Sequence, residues 1–96
     1  MTDKRKAYEE KLEAQLKEWS AEIALFRAKA DKAKAETKIE YYKTIDALQR
    51  KHDSARTQLQ ELRVASDSAW EDLKTGAENA WTEVKTSFNK AVAKFK

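Results

Sequence analysis

The chain has 96 residues, enough for one small domain, with 41% hydrophobic and 39% charged side chains. One glycine and no proline exclude a turn-rich sheet protein, and the lack of cysteine excludes disulfides and thiolate metal sites. The net charge of +3 comes from 20 basic and 17 acidic side chains, interspersed over most of the length. A mean hydropathy of −0.92 would suit disorder, but nine regularly spaced aromatic residues argue against it.

The N-terminal segment predicts an amphipathic helix that begins at Thr2 or Asp3, either of which can cap the first turn. From Leu12 onward the apolar positions are spaced alternately by four and three residues, which is the heptad pattern of a coiled coil. These positions are Leu12, Leu16, Trp19, Ile23, Phe26, Ala30 and Ala33.

Between Arg27 and Lys38 the apolar stripe thins to alanines among lysines. Alanine is the strongest helix former, so the sequence predicts that the helix continues through this segment. Apolar spacing from Ala33 to Ile45 then runs in three steps of four residues, a stutter that would locally unwind a left-handed supercoil.

Heptad spacing resumes at Ile45 and continues to Ser66. Ser68 and Glu71 then match a capping box, which indicates a helix break near residues 66–68. The apolar stripe nevertheless keeps its phase across this point, which favours an unbroken helix. The sequence leaves open one long helix or a helical hairpin.

The segment from Ala69 to Phe95 changes to an eleven-residue period. Eleven residues make three helical turns, so equivalent positions lie on one side of a nearly straight helix. Two of the resulting apolar columns are Trp70, Trp81 and Val92, and Leu73, Val84 and Phe95.

An amphipathic stripe of this length predicts self-association, because an isolated helix would leave it exposed to water. Tryptophan is too large for the seam of a parallel two-stranded coil, which favours an antiparallel packing of large against small residues. We therefore predict an all-α, antiparallel coiled-coil or helical-bundle homo-oligomer in one domain over residues 1–96. Its predicted association core is Leu12, Leu16, Trp19, Ile23, Phe26, Ile45, Leu48, Leu59, Leu62, Trp70, Leu73, Trp81, Val84, Phe88 and Phe95.

The sequence carries no pattern for catalysis, for a cofactor or for a small-molecule substrate. His52 is the only histidine and has no second metal ligand three or four residues away, so a packed imidazole is the simpler interpretation. Acidic clusters follow from the composition, and no glycine-rich phosphate loop is present. We predict no enzyme activity and no metal site.

The last third of the chain has features typical of two surface partners, lipid and nucleic acid. Lysines flank the aromatic face of residues 69–96, a pattern that is also typical of helices lying on lipid, and reversible lipid binding is the alternative function. The lysines after Glu83 would suit nucleic acid, but cations at a helix C-terminus already complement the helix dipole. We therefore expect no nucleic-acid partner.

Three stretches resemble a family of small, largely uncharacterised bacterial coiled-coil proteins named as stress-response proteins. They are KRKAYEEKLEAQLKEW, KAKAETKIEYYKTIDALQ and AWEDLKTGAENAWTEVKTSFNKAVAKF. The resemblance implies a cyanobacterial or proteobacterial source, a helical fold and no catalytic residue. With no signal peptide or membrane span in the sequence, we expect a cytoplasmic, non-catalytic interaction protein.

Overall fold

The structure, a computed structural model, describes residues 2–95, and this part of the chain contains three α-helices and no strand. They are α1 (Thr2–Asp31), α2 (Ala35–Val64) and α3 (Asp67–Phe95). The helices lie side by side in a rod of 51 × 19 × 18 Å. Each runs antiparallel to the next, so α1 and α3 are parallel. The prediction of an all-α helical bundle is confirmed.

The first turn corrects the prediction of a continuous helix between Arg27 and Lys38. Helix α1 ends at Asp31, and the amides of Lys32 and Ala33 close its last turn on carbonyls three residues earlier. No residue there breaks a helix by its own propensity. The chain turns because folding back buries Ile45 and Leu48 against α1, and that burial outweighs a few lost helical hydrogen bonds.

The second break lies near residues 66–68, one of the two outcomes that the sequence left open, and it overturns the inference from the in-phase apolar stripe, which favoured an unbroken helix. Helix α2 ends at Val64, and α3 begins at Asp67 with Ser66 rather than Ser68 as its N-cap. The Ser66 hydroxyl accepts the amide of Ala69 at 3.3 Å, and its carbonyl accepts the amide of Trp70 at 2.8 Å. This is the arrangement of a serine N-cap.

The core runs the full length of the rod and takes one stripe from each helix. The buried hydrophobic residues are Leu12, Leu16, Trp19, Ile23, Phe26, Ala30, Ile45, Leu48, Ala55, Leu59, Leu62, Trp70, Ala77, Trp81, Val84, Phe88, Ala91 and Phe95.

Aromatic rings fill the space between α1 and α3. Trp19 stacks on Phe88 at a ring-centroid distance of 5.3 Å and contacts Trp81 at 5.6 Å. Phe26 stacks on Phe95 at 4.5 Å. The sequence predicts packing of large residues against small ones, whereas the structure packs ring against ring. The bulk of these rings keeps the two parallel backbones apart.

The apolar stripe is thus covered within a single chain. A second copy is not needed to remove it from water, which was the physical reason for predicting one. Coiled-coil geometry and homo-oligomerisation stay predictions. Within residues 2–95, no helix is both long enough and apolar enough to cross a bilayer.

Candidate functional site

The residues predicted for self-association lie in the intramolecular core. Fourteen of the fifteen are buried, and Leu73 is partly buried against the same core. They are brought together as the inner lining of one bundle. A role in association would require helices to exchange between chains.

His52 is a packed residue of the α1–α2 interface, and it is only 8% exposed. Its Nε2 lies 3.0 Å from the carbonyl oxygen of Leu16, so this nitrogen carries the proton and donates it. Its Nδ1 is buried without a hydrogen-bond partner among the described residues, and the nearest carboxylate, Asp53, is 3.8 Å away. No group of three metal-ligating side chains occurs within residues 2–95.

Arg5 is the most densely bonded side chain at the N-terminal end of α1. Its guanidinium donates to the carbonyls of Leu62 at 2.8 Å, Arg63 at 3.2 Å and Ala65 at 2.7 Å, which lie at or just after the end of α2. It also pairs with Asp67 at 3.0 Å and with Glu9 at 3.1 Å. One arginine therefore ties together the end of α2, the connection and the start of α3.

A cavity of about 260 Å³ lies beside this arginine, with Tyr8 and Trp70 in its wall. The two rings meet edge to face at 5.6 Å, and the Trp70 indole donates to the Glu9 carboxylate at 2.9 Å. The Lys74 ammonium sits 5.1 Å from the Tyr8 ring. Arg5, Glu9 and Trp70 already bond one another, so we assign this cluster to stability rather than to ligand binding.

The pKa values of two tyrosines are raised above the ordinary value for a phenol. Burial, with a further effect of the Glu78 carboxylate, raises the pKa of Tyr8. The hydrogen bond to Asp31 is the main cause that raises the pKa of exposed Tyr42. Both phenols therefore stay neutral near pH 7, and neither is a general base at that pH.

Folding gathers positive charge at one end of the rod, which we call the basic end and define as residues 27–43 and 85–95. The Tyr41 ring contacts the Phe95 ring at a centroid distance of 4.4 Å and holds these two segments together, and Phe26, next to the first segment, stacks on Phe95 at 4.5 Å. Nine side chains of the basic end are Lys or Arg and three are Asp or Glu. The other described residues hold ten basic and fourteen acidic side chains. The rod is therefore electrically polar.

A groove of about 410 Å³ between α2 and α3 extends the basic end toward the middle of the rod. Its floor is apolar, with Leu48 and two alanines, and its walls carry four lysines from both helices. Two of these pair weakly with carboxylates, Lys94 with Glu40 at 3.5 Å and Lys51 with Glu83 at 3.6 Å. The lining lysines are Lys43, Lys51, Lys90 and Lys94.

Exposed hydrophobic side chains share this end of the molecule. Four large hydrophobic residues of the described chain are exposed. Ile39 (61%) and Tyr42 lie in the basic end, and Leu25 (59%) lies two residues from its boundary. The fourth, Val64 (83%), lies at the opposite end of the rod.

Sequence reasoning missed the basic end, because basic and acidic residues alternate along most of the chain. The lysines of residues 29–43 and those of residues 85–94 are far apart in sequence and meet only through the turn at residues 32–34. A predicted turn at residues 32–34 would have shown that the two groups of lysines meet.

Comparison of the chain with protein-family models, with curated proteins and with solved structures gave no match. The resemblance to bacterial stress-response coiled-coil proteins therefore stays an expectation. The basic end is the surface of this chain with the most distinctive chemistry.

Proposed function

We propose that this protein is a non-catalytic interaction protein whose working surface is the basic end of the bundle. The observation that carries this proposal is the charge separation along the rod, with an excess of six positive charges at one end and of four negative charges elsewhere in the described chain. A field of one sign at one end attracts and orients anionic partners.

The core and the polar clusters also support this proposal, because their side chains serve the fold. His52 and Arg5 donate hydrogen bonds to backbone carbonyls of a neighbouring helix or connection, which is a structural role. The lysines of the basic end remain at the surface. The resemblance noted above would place this activity in the stress response of a bacterial cell.

Retention on heparin, a sulfated polymer with many negative charges, tests the proposal. We expect the double substitution Lys43→Glu with Lys90→Glu to elute at much lower salt than the native chain. Both residues are exposed, and neither forms an ion pair within residues 2–95, so the fold should tolerate the change.

The matched control is Lys6→Glu with Lys11→Glu in α1. Both lysines are exposed, and the two variants have the same net charge. The control should lose much less retention than the test variant. Equal losses would show that total charge matters and its position does not, and the proposal would fall.

We also propose self-association, but by a different route from the exposed apolar stripe that the sequence predicts. The predicted association residues are in the core, so dimers would form by exchange of whole helices through an opened connection. Light scattering across a concentration series, before and after mild heating, measures this. A mass of one chain under all conditions would exclude it.

Reversible lipid binding through residues 69–96 is the second candidate function. Helix α3 has the most strongly segregated apolar face of the three helices, and Lys74, Lys85, Lys90 and Lys94 flank it. That face includes Trp70 and Trp81, which are buried, so binding would require α3 to separate from α1.

Spin labels on the variant Ser20→Cys with Thr82→Cys test this opening. Both positions are exposed, they lie at similar heights on α1 and α3, and the native chain has no cysteine. If α3 leaves the bundle on lipid, the distance between the labels lengthens when vesicles are added. An unchanged distance with bound protein would contradict opening.

A further inference from the structure

We propose that the closed bundle docks on anionic phospholipid bilayers with its basic end, without opening the helices. This inference rests on the proposed function and names the partner of the same surface. It differs from the lipid binding considered above, because the aromatic face of α3 stays inside the bundle and different residues touch the membrane.

Charge complementarity is the first argument. Anionic headgroups present a continuous negative surface, and each lysine near it adds a favourable contribution. Lysines at the tip, Lys32 and Lys34, are exposed, and Lys90 and Lys94 reach the same end from α3. The acidic majority of the remaining chain would be repelled, which fixes the orientation of the rod.

The exposed hydrophobic residues are the second argument, and they are independent of charge. Ile39 lies five residues from the turn residue Lys34, which places it about 7–8 Å along the helix axis. Ile39 and Tyr42 are three residues apart on one face of α2, so both reach the boundary between headgroups and acyl chains when the rod leans with this face against the surface. A tyrosine such as Tyr42 is also favoured at this level.

The same residues favour a bilayer over nucleic acid as the partner. Single-stranded nucleic acid is bound by exposed aromatic rings that stack on bases. Here Trp19, Trp70 and Trp81 are buried, as are the phenylalanines, and the exposed ring of the basic end, Tyr42, has its hydroxyl bonded to the Asp31 carboxylate. Exposed isoleucine adds nothing to a phosphate contact, whereas it adds directly to contact with lipid.

Vesicle sedimentation tests the inference, with the native chain and with vesicles that are either neutral phosphatidylcholine or mixed with phosphatidylserine. We expect binding only to the mixed vesicles, with loss of binding at high salt. Lys43→Glu with Lys90→Glu should lower partitioning by at least about tenfold. Lys6→Glu with Lys11→Glu should leave most of it.

The sharper variant is Ile39→Ser, with Val64→Ser as its matched control at the far end of the rod. Ile39→Ser should weaken binding to the anionic vesicles by about three- to tenfold and leave heparin retention unchanged. Val64→Ser should change neither. Equal binding by both variants would overturn the membrane inference, because no apolar contact would then be made at the basic end.

The remaining outcomes separate the two proposals. Heparin retention without vesicle binding overturns the membrane inference and leaves the proposed function standing, with nucleic acid as the next partner to measure. Failure to bind either probe overturns both. Vesicle binding that lengthens the distance between labels at residues 20 and 82 also overturns closed docking, because it shows an opened bundle.

Discussion

Arg5 contributes more to the fold than its position near the chain terminus suggests. Its guanidinium donates to three carbonyls at or just after the end of α2 and pairs with Asp67 and Glu9, and the side chain is largely covered. A planar group with several donors suits this position, whereas an ammonium would reach fewer acceptors.

We expect Arg5→Ala to lower the free energy of unfolding by about 2–3 kcal/mol, because charged hydrogen bonds are lost and carbonyls lose their partners. Arg5→Lys should fall between this variant and the native chain. Urea denaturation followed by circular dichroism measures both, with the exposed neighbour Lys4→Ala as control. A loss equal to that of the control would mean that solvent replaces Arg5 without cost.

Tyr8 gives the bundle a pH dependence in the alkaline range. Burial and Glu78 raise the pKa of its phenol in the folded chain. The folded chain therefore holds this proton more tightly than the unfolded chain does. The resulting stability is fully present below the ordinary tyrosine pKa of about 10, and it is lost as the pH rises through the higher folded value.

The difference in urea midpoint between the native chain and Tyr8→Phe should therefore shift against the native chain between about pH 9 and pH 11. Comparison with the variant cancels the titration of lysines, which occurs in the same range. Tyr41→Phe, at the other end of the rod, serves as control. A difference that stays constant with pH would contradict the assignment.

At the level of the elements, helices and their buried faces could be predicted from the sequence, whereas the first connection was missed and the second was left open. Heptad and eleven-residue spacing identified the inner faces of all three helices, because a helix buries whichever stripe repeats with its turn. The serines near residue 67 marked the second connection, since local hydrogen bonding favours a cap there.

The turn at residues 32–34 had no local signal. Lys32, Ala33 and Lys34 favour a helix by propensity, and only packing between distant segments makes a turn preferable. The stutter between Ala33 and Ile45 coincides with this turn, and it is better interpreted as a change of helix than as an unwound supercoil. Because this turn was missed, the basic end was missed with it.

Helix α3 contains the only glycine of the chain, near its middle. Gly76 is exposed, its φ is not positive, and an added Cβ would meet nothing within 4 Å. The position thus carries the backbone entropy cost of glycine without a packing reason.

Gly76→Ala should raise the free energy of unfolding by about 0.5–1 kcal/mol and the melting temperature by a few degrees. The reverse change at an exposed site of α1, Ala24→Gly, should lower both by a similar amount. Calorimetry measures the pair. No gain in Gly76→Ala would indicate that the middle of α3 is not continuously helical in solution.

At the level of the whole molecule, the stripe that predicted association serves the fold of one chain. Trp81 is buried against Trp19, so a charge placed there would lie inside the bundle. We expect Trp81→Glu to abolish most helical circular dichroism, because an unpaired buried carboxylate costs several kcal/mol in a domain of this size.

The exposed neighbour Thr82→Glu should keep the native spectrum and melting temperature. Light scattering on the same samples separates two origins of any effect. Loss of helix in Trp81→Glu is expected from an intramolecular core. A smaller mass with full helicity would instead place Trp81 at a contact between chains.

The separation of charge along a narrow rod also gives the molecule a permanent dipole moment that lies roughly along its long axis. Any negatively charged wall therefore exerts a torque on the freely tumbling molecule before the two touch. The rod turns tip-first while it is still about a Debye length away, near 8 Å at physiological ionic strength. Encounters with the basic end first are thereby favoured during diffusion. Lowering the salt concentration should raise the association rate constant far more than it lowers the dissociation rate constant.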